Sequence, residues 1–160
     1  MTTAAGAVLV LSAAILALRR YYARQRRCRD LLWSFAAALG EMESAIRWQR
    51  TPVLALLEAL QTREHCGVWF RQIRDKVQSD MTLQIAWNRT FSRIPDAETA
   101  EVLRRMELGG DETRLLTQLE DARQALTTLA ARWAREDAQD RRVAGALALS
   151  AAGLLVILLI

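Results

Sequence analysis

The stretch that most constrains this chain is its last, Asp111 to Ile160, which opens charged and amphipathic and closes uncharged. Residues 143–160 carry no charge and end Gly153-Leu154-Leu155-Val156-Ile157-Leu158-Leu159-Ile160. As a helix rising about 1.5 Å per residue, they reach about 27 Å, close to the thickness of a hydrocarbon core. Lipid offers backbone N–H and C=O groups no water, so a helix is the form such a segment takes there. No Pro and no Gly pair separates it from the polar segment upstream. The expectation is one uninterrupted helix ending in a transmembrane segment over 143–160.

The other end makes a matching statement. Met1 to Leu18 carries no side-chain charge, and Arg19, Arg20, Arg24, Arg26, Arg27 and Arg29 follow it. A signal peptide places its positive charge before the apolar run, so this order favours an uncleaved anchor. Arg141 and Arg142 stand directly before the C-terminal stretch, where cytoplasmic flanks are basic. The two ends together predict an integral membrane protein with both termini outside. Its parts are a transmembrane helix over 1–19, a helical cytoplasmic domain over 20–142 and a transmembrane helix over 143–160. The eight arginines then form membrane necks against the lipid bilayer. The net charge of +4 concentrates at those necks, so it is no sign of nucleic-acid binding.

Between the ends the pattern is helical throughout. Leu31, Leu32, Phe35, Leu39, Met42 and Ile46 recur at spacings of three and four, predicting a helix that ends near Gln49. Thr51-Pro52 reads as an N-cap followed by proline at the first helical position. Val53, Leu54, Leu56, Leu57 and Leu60 give the next helix an apolar face, and His65-Cys66-Gly67 breaks it. A third runs from Val68 to Val77, and Ser79-Asp80-Met81-Thr82 forms a turn. A fourth covers Leu83 to Ser92; Pro95-Asp96 opens a fifth. Gly109-Gly110 stops that one by allowing left-handed backbone, and Asp111 caps the last. Its stripe is Leu115, Leu119, Ala122, Leu126, Leu129 and Trp133. No stretch alternates with period two. The fold class is therefore all-α: about six helices, the first and last leading into the membrane.

Chemistry is scarce. One histidine, no nucleophile elbow and no phosphate-cradling glycine loop leave no catalytic constellation, so no enzyme and no cofactor are expected. His65 beside Cys66 lacks the further ligands zinc needs, and no metal site is expected. Cys28 and Cys66 cannot form a disulfide framework and fit a reducing compartment. Trp69, Trp87 and Trp133 fall on apolar stripes and read as core. Trp33 and Trp48 sit beside theirs and read as interface anchors. Ala144, Ala148 and Ala152, like Ala13 and Ala17, form small faces that leave room for close helix packing and a homo-oligomer.

The order of these features resembles the stage III sporulation protein AB family. The likeness is carried by a short N-terminal span, an Arg-rich neck, Thr51-Pro52-Val53 with Leu56-Leu57-Glu58-Ala59-Leu60, then Leu83 and Ala86-Trp87. Leu108-Gly109-Gly110-Asp111 with Gln118 and the apolar C-terminus complete it. The family usually reads Leu-Gly-x-Ser/Thr-Asp before the last helix; here that element is one residue shorter. The resemblance implies a six-helix domain like those of the inner-membrane platform protein of type II secretion and type IV pilus systems. It also implies a non-enzymatic scaffold in a sporulation channel complex, at the mother-cell membrane, with a secretion-type ATPase as neighbour. On this reading the contact residues are Trp48, Arg50, Thr51, Pro52 and Glu58 at the first junction, with Gly109, Gly110 and Asp111 at the last. Two rivals are a small oligomeric pore of the holin kind and a membrane-tethered adaptor. The pore would favour polar residues lining a span, and only Ser12 and Ser150 are polar within the two.

Overall fold

A computed structural model describes residues 2–159; of their side chains, 2–14, 18, 141, 145, 148, 149 and 151–159 lie outside the described set. Six helices follow one another: α1 (Thr2–Gln49), α2 (Val53–Leu60), α3 (Gly67–Gln78), α4 (Leu83–Phe91), α5 (Ala97–Arg104) and α6 (Glu112–Leu159). The described residues include no strand. The all-helical expectation holds, and the first and last helices run uninterrupted, as the lack of breakers in them implied.

The membrane part of the expectation does not hold. Among the described residues no helix is long and apolar enough to cross a membrane. A crossing helix needs about 20 consecutive apolar residues. The described side chains of α1 begin at Ile15 and meet Arg19 one turn later; those of α6 beyond Arg142 reach only to Ser150. The remaining side chains of the two expected spans lie outside the described set. The two-span topology, with its cytoplasmic domain and outer termini, falls with them. The membrane-neck role given to the arginines rested on those spans. Arg19, Arg20, Arg24, Arg26, Arg27 and Arg142 are exposed, Arg29 is half-buried, and the side chain of Arg141 lies outside the described set.

The chain divides into two compact units, residues 1–25 with 131–160, and residues 26–130. In the first, the rings of Tyr21 and Tyr22 meet edge-on at 5.8 Å. Gln25 Nε2 donates to the Tyr21 hydroxyl at 3.0 Å. Asp137 is buried on the later part of α6.

The second unit holds an aromatic core. Phe91 is its hub, with Phe35 at 5.5 Å, Trp87 at 4.6 Å and Phe70 at 6.3 Å, all edge-on, and Trp69 stacked at 6.4 Å. Such pairs add roughly 0.5–1.5 kcal/mol each beyond the area they bury. Around them close Leu32, Leu39, Met42 and Ile46 of α1 and Leu119, Leu126 and Ala130 of α6. The α1 stripe is as the periodicity predicted; on α6 the buried line runs through Ala130 and leaves Leu129 half-buried. Trp87 is fully buried, and its indole N–H donates to the Leu103 carbonyl at 2.7 Å. Trp69 and Trp133 are only half-buried, while Trp33 and Trp48 are exposed.

Turn chemistry sets the joints. After α3, Met81 N–H donates to Lys76 O and Asp80 N–H to Val77 O, both at 3.2 Å, with Asp80 at φ 63. This is the paired bonding that satisfies the last carbonyls of a helix through one left-handed residue. Before α5, Asp96 caps by accepting from Thr99 N–H at 2.8 Å. Before α4, Thr82 sits at the cap position without a side-chain bond.

Candidate functional site

The α1–α2 corner is built by the end of α1. Ile46 turns into the core, and two residues later Trp48 faces the opposite way, 80% exposed. Arg47 is tied back to Glu43 at 2.9 Å. Arg50 adopts φ 50, and its N–H donates to Ile46 O at 3.1 Å while Thr51 N–H donates to Ala45 O at 3.3 Å. A left-handed non-glycine residue costs roughly 1–2 kcal/mol, so Arg50 holds the corner under strain. The expected cap is displaced by one residue. Pro52, not Thr51, occupies the N-cap, and its carbonyl accepts from Leu56 N–H at 3.2 Å. Pro52's fixed φ does that without a side-chain bond. Thr51 is half-buried, and Pro52 and Glu58 are exposed, with Leu54 50% exposed in the first turn of α2.

The loop from Glu107 to Asp111 is held by two amide side chains. Gln84 Oε1 accepts from Leu108 N–H at 2.8 Å while its Nε2 donates to Met106 O at 2.9 Å. Gln118 Oε1 accepts from Glu107 N–H at 2.7 Å. Gly110 alone takes a left-handed angle, φ 123; Gly109 does not. Both are exposed with open space where a Cβ would stand, and Asp111 is exposed with its carbonyl accepting from Leu115 N–H. Among the described residues no hydrogen bond or ion pair links this loop to the α1–α2 corner. The sequence-predicted contact residues thus form two separate sites, one centred on a large apolar side chain and the other on bare backbone.

Three further features escaped the sequence. Cys66 is buried where α1 meets the α2–α3 joint; Ser34 Oγ lies 2.6 Å from the Glu64 carbonyl to which it donates and 2.9 Å from Cys66 Sγ. Burial pushes the Cys66 thiol above its ordinary range, against the smaller opposing pull of the Ser34 hydrogen bond. Neither cysteine is in a disulfide. Beside this joint Arg63 makes a two-pronged ion pair with Glu41.

On the far side of α3, Lys76 Nζ donates to Thr90 Oγ1 at 2.6 Å. Burial, then Arg93 and Arg89, lower its pKa. Lys76 is the only lysine in the chain, and that isolation was the one signal available. Finally, a groove of about 560 Å³ runs between α5 and α6, with Val102, Ala125 and Leu129 on its lining and Glu98, Glu101 and Asp121 beside them. It brings together no nucleophile and base. Among the described residues no group of three His, Cys, Asp or Glu could hold a metal ion.

Comparison with known proteins returns one family. The model for stage III sporulation protein AB matches residues 3–160. No curated protein and no solved structure gives a match.

Proposed function

The chain belongs to the stage III sporulation protein AB family, and from that premise we propose that it is a non-enzymatic docking scaffold in a secretion-like sporulation complex. Its helical bundle binds other components, a secretion-type ATPase among them. The observation that carries this reading is Trp48, a tryptophan 80% exposed on a corner fixed by the strained Arg50 and the ring of Pro52. An exposed indole gains most when a partner buries it, and a corner already ordered costs little further entropy on binding. Arg50, Thr51, Pro52 and Glu58 frame that anchor. Gly109, Gly110 and Asp111 offer a second, backbone-rich contact whose glycines let a partner approach closely.

Co-purification of the full-length chain with the cognate secretion-type ATPase tests the reading. The ATPase is expected to be retained by the wild-type chain and lost with Trp48→Ala. Retention of no complex component by a folded wild-type chain would overturn it.

A further inference from the structure

Several basic side chains of the second unit lie on carboxylates. Arg47 lies on Glu43, Arg74 on Asp75 and Arg114 on Glu107, at 2.9, 2.7 and 2.7 Å. Arg63 pairs with Glu41 and Arg105 with Glu101. Others have no carboxylate partner among the described residues, and three of these act on one another. Lys76 ends α3, Arg89 lies in the last turn of α4, and Arg93 follows one turn on. None of the three has a carboxylate partner among the described residues: Asp75, beside Lys76, is engaged by Arg74, and Asp96, three residues after Arg93, caps α5.

Cations at helix C-termini favour the dipole there, which accounts for Lys76 and Arg89 taken singly. It does not account for bringing two helix ends together so that their cations repel. The hydrogen bond from Lys76 to the fully buried Thr90 hydroxyl holds the ammonium at the end of α4, within reach of the Arg89 and Arg93 charges. One turn before Arg89 on the same helix, Ile85 is 53% exposed. A patch with fixed cations and an apolar neighbour suits carboxylates carried beside apolar side chains, as on a peptide. Bare phosphate would leave Ile85 uncovered.

We propose that Lys76, Arg89 and Arg93, with Ile85 at their edge, form a docking site for an acidic, partly apolar segment of a protein partner. The segment's carboxylates supply the counter-ions that the bundle withholds, and its apolar side chain covers Ile85. The site stands without the Trp48 corner and fails or holds independently of it.

The single lysine makes the site directly readable. The full-length chain, labelled with 13C at lysine, is titrated with a ten-residue peptide alternating glutamate and leucine, and separately with inorganic phosphate. The peptide is expected to shift the Lys76 resonance saturably. The paired variant Arg89→Gln/Arg93→Gln is expected to bind it about tenfold or more weakly, the scale of losing close charge pairs. Trp48→Ala is expected to bind it unchanged. An Arg89→Glu/Arg93→Glu variant should lose the acidic peptide and gain one alternating lysine and leucine. No saturable shift in the wild-type chain, an equal response to phosphate, or unchanged affinity in a folded Arg89→Gln/Arg93→Gln variant would overturn the proposal. The wild-type titration decides even if a variant does not fold.

Discussion

At the scale of single residues, the joint between α2 and α3 is the least forgiving position in the chain. A Cβ built on Gly67 would stand 2.4 Å from the Gln61 carbonyl oxygen and 2.9 Å from its carbon, both backbone atoms. A flexible side chain could yield, but a helix end cannot, and overpacking of this kind costs about 1–3 kcal/mol. Gly67→Ala is expected to lower stability by about 3 kcal/mol, read as a drop in the urea midpoint with the helical signal retained. The sequence marked His65-Cys66-Gly67 only as a break, because close approach of one backbone to another leaves no mark on periodicity.

Cys66, next to it, carries a pH dependence. Its folded pKa is raised, chiefly by burial. Below the ordinary thiol value of about 8.5 the folded and unfolded states both hold the proton, and the group contributes no slope. As pH climbs past that value the unfolded thiol ionises first, so stability falls. Urea midpoints at pH 8 and pH 10 are expected to fall further for the wild-type chain than for Cys66→Ala; equal falls would contradict it. The comparison with Cys66→Ala matters because Lys76, whose folded pKa is lowered, pushes stability the other way below its own ordinary value.

At the scale of elements, much of the fold was written in the apolar spacing. The end of α1 at Gln49, the start of α4 at Leu83 and the start of α6 after Asp111 each sit where a turn residue or cap announces them. What spacing could not show was joint geometry. Thr51-Pro52 has the composition of a cap and first turn, yet Pro52 itself takes the cap because Arg50 has already turned the chain through a left-handed angle. Nothing marks an arginine as left-handed in advance. Glycine there would relieve roughly 1–2 kcal/mol of strain, offset by roughly 0.5–1 kcal/mol of extra freedom in the unfolded chain. Arg50→Gly is therefore expected to leave the melting temperature unchanged or raise it by a few degrees. A clear loss would show that the arginine side chain, not the backbone turn, holds the corner. The terminal helices misled for another reason: uncharged residues abutting arginines imitate a span boundary, while the described residues of α1 and α6 include no window apolar enough for one.

At the scale of the whole molecule, the second unit pairs a closed aromatic interior with exposed apolar and basic side chains outside. Phe91 and the rings around it pack closely inside, whereas Trp48 and the Lys76–Arg89–Arg93 patch present apolar surface and charge outward. The exposure of Trp48 was legible from one fact, that it lies off the apolar stripe of α1. The basic patch was not, since it joins residues from two helices.

The central claim is that Trp48 anchors a partner without supporting the fold. Calorimetric titration of the full-length chain with the cognate secretion-type ATPase, for the wild type and Trp48→Ala, tests it most directly. Loss of a central anchor costs 2 kcal/mol or more, roughly a thirtyfold weakening, and exposed substitutions shift stability by about 0.5 kcal/mol at most. The expected result is at least that weakening with an unchanged melting temperature. Equal affinity for the two chains, or a weakening accompanied by a collapse in melting temperature, would contradict it.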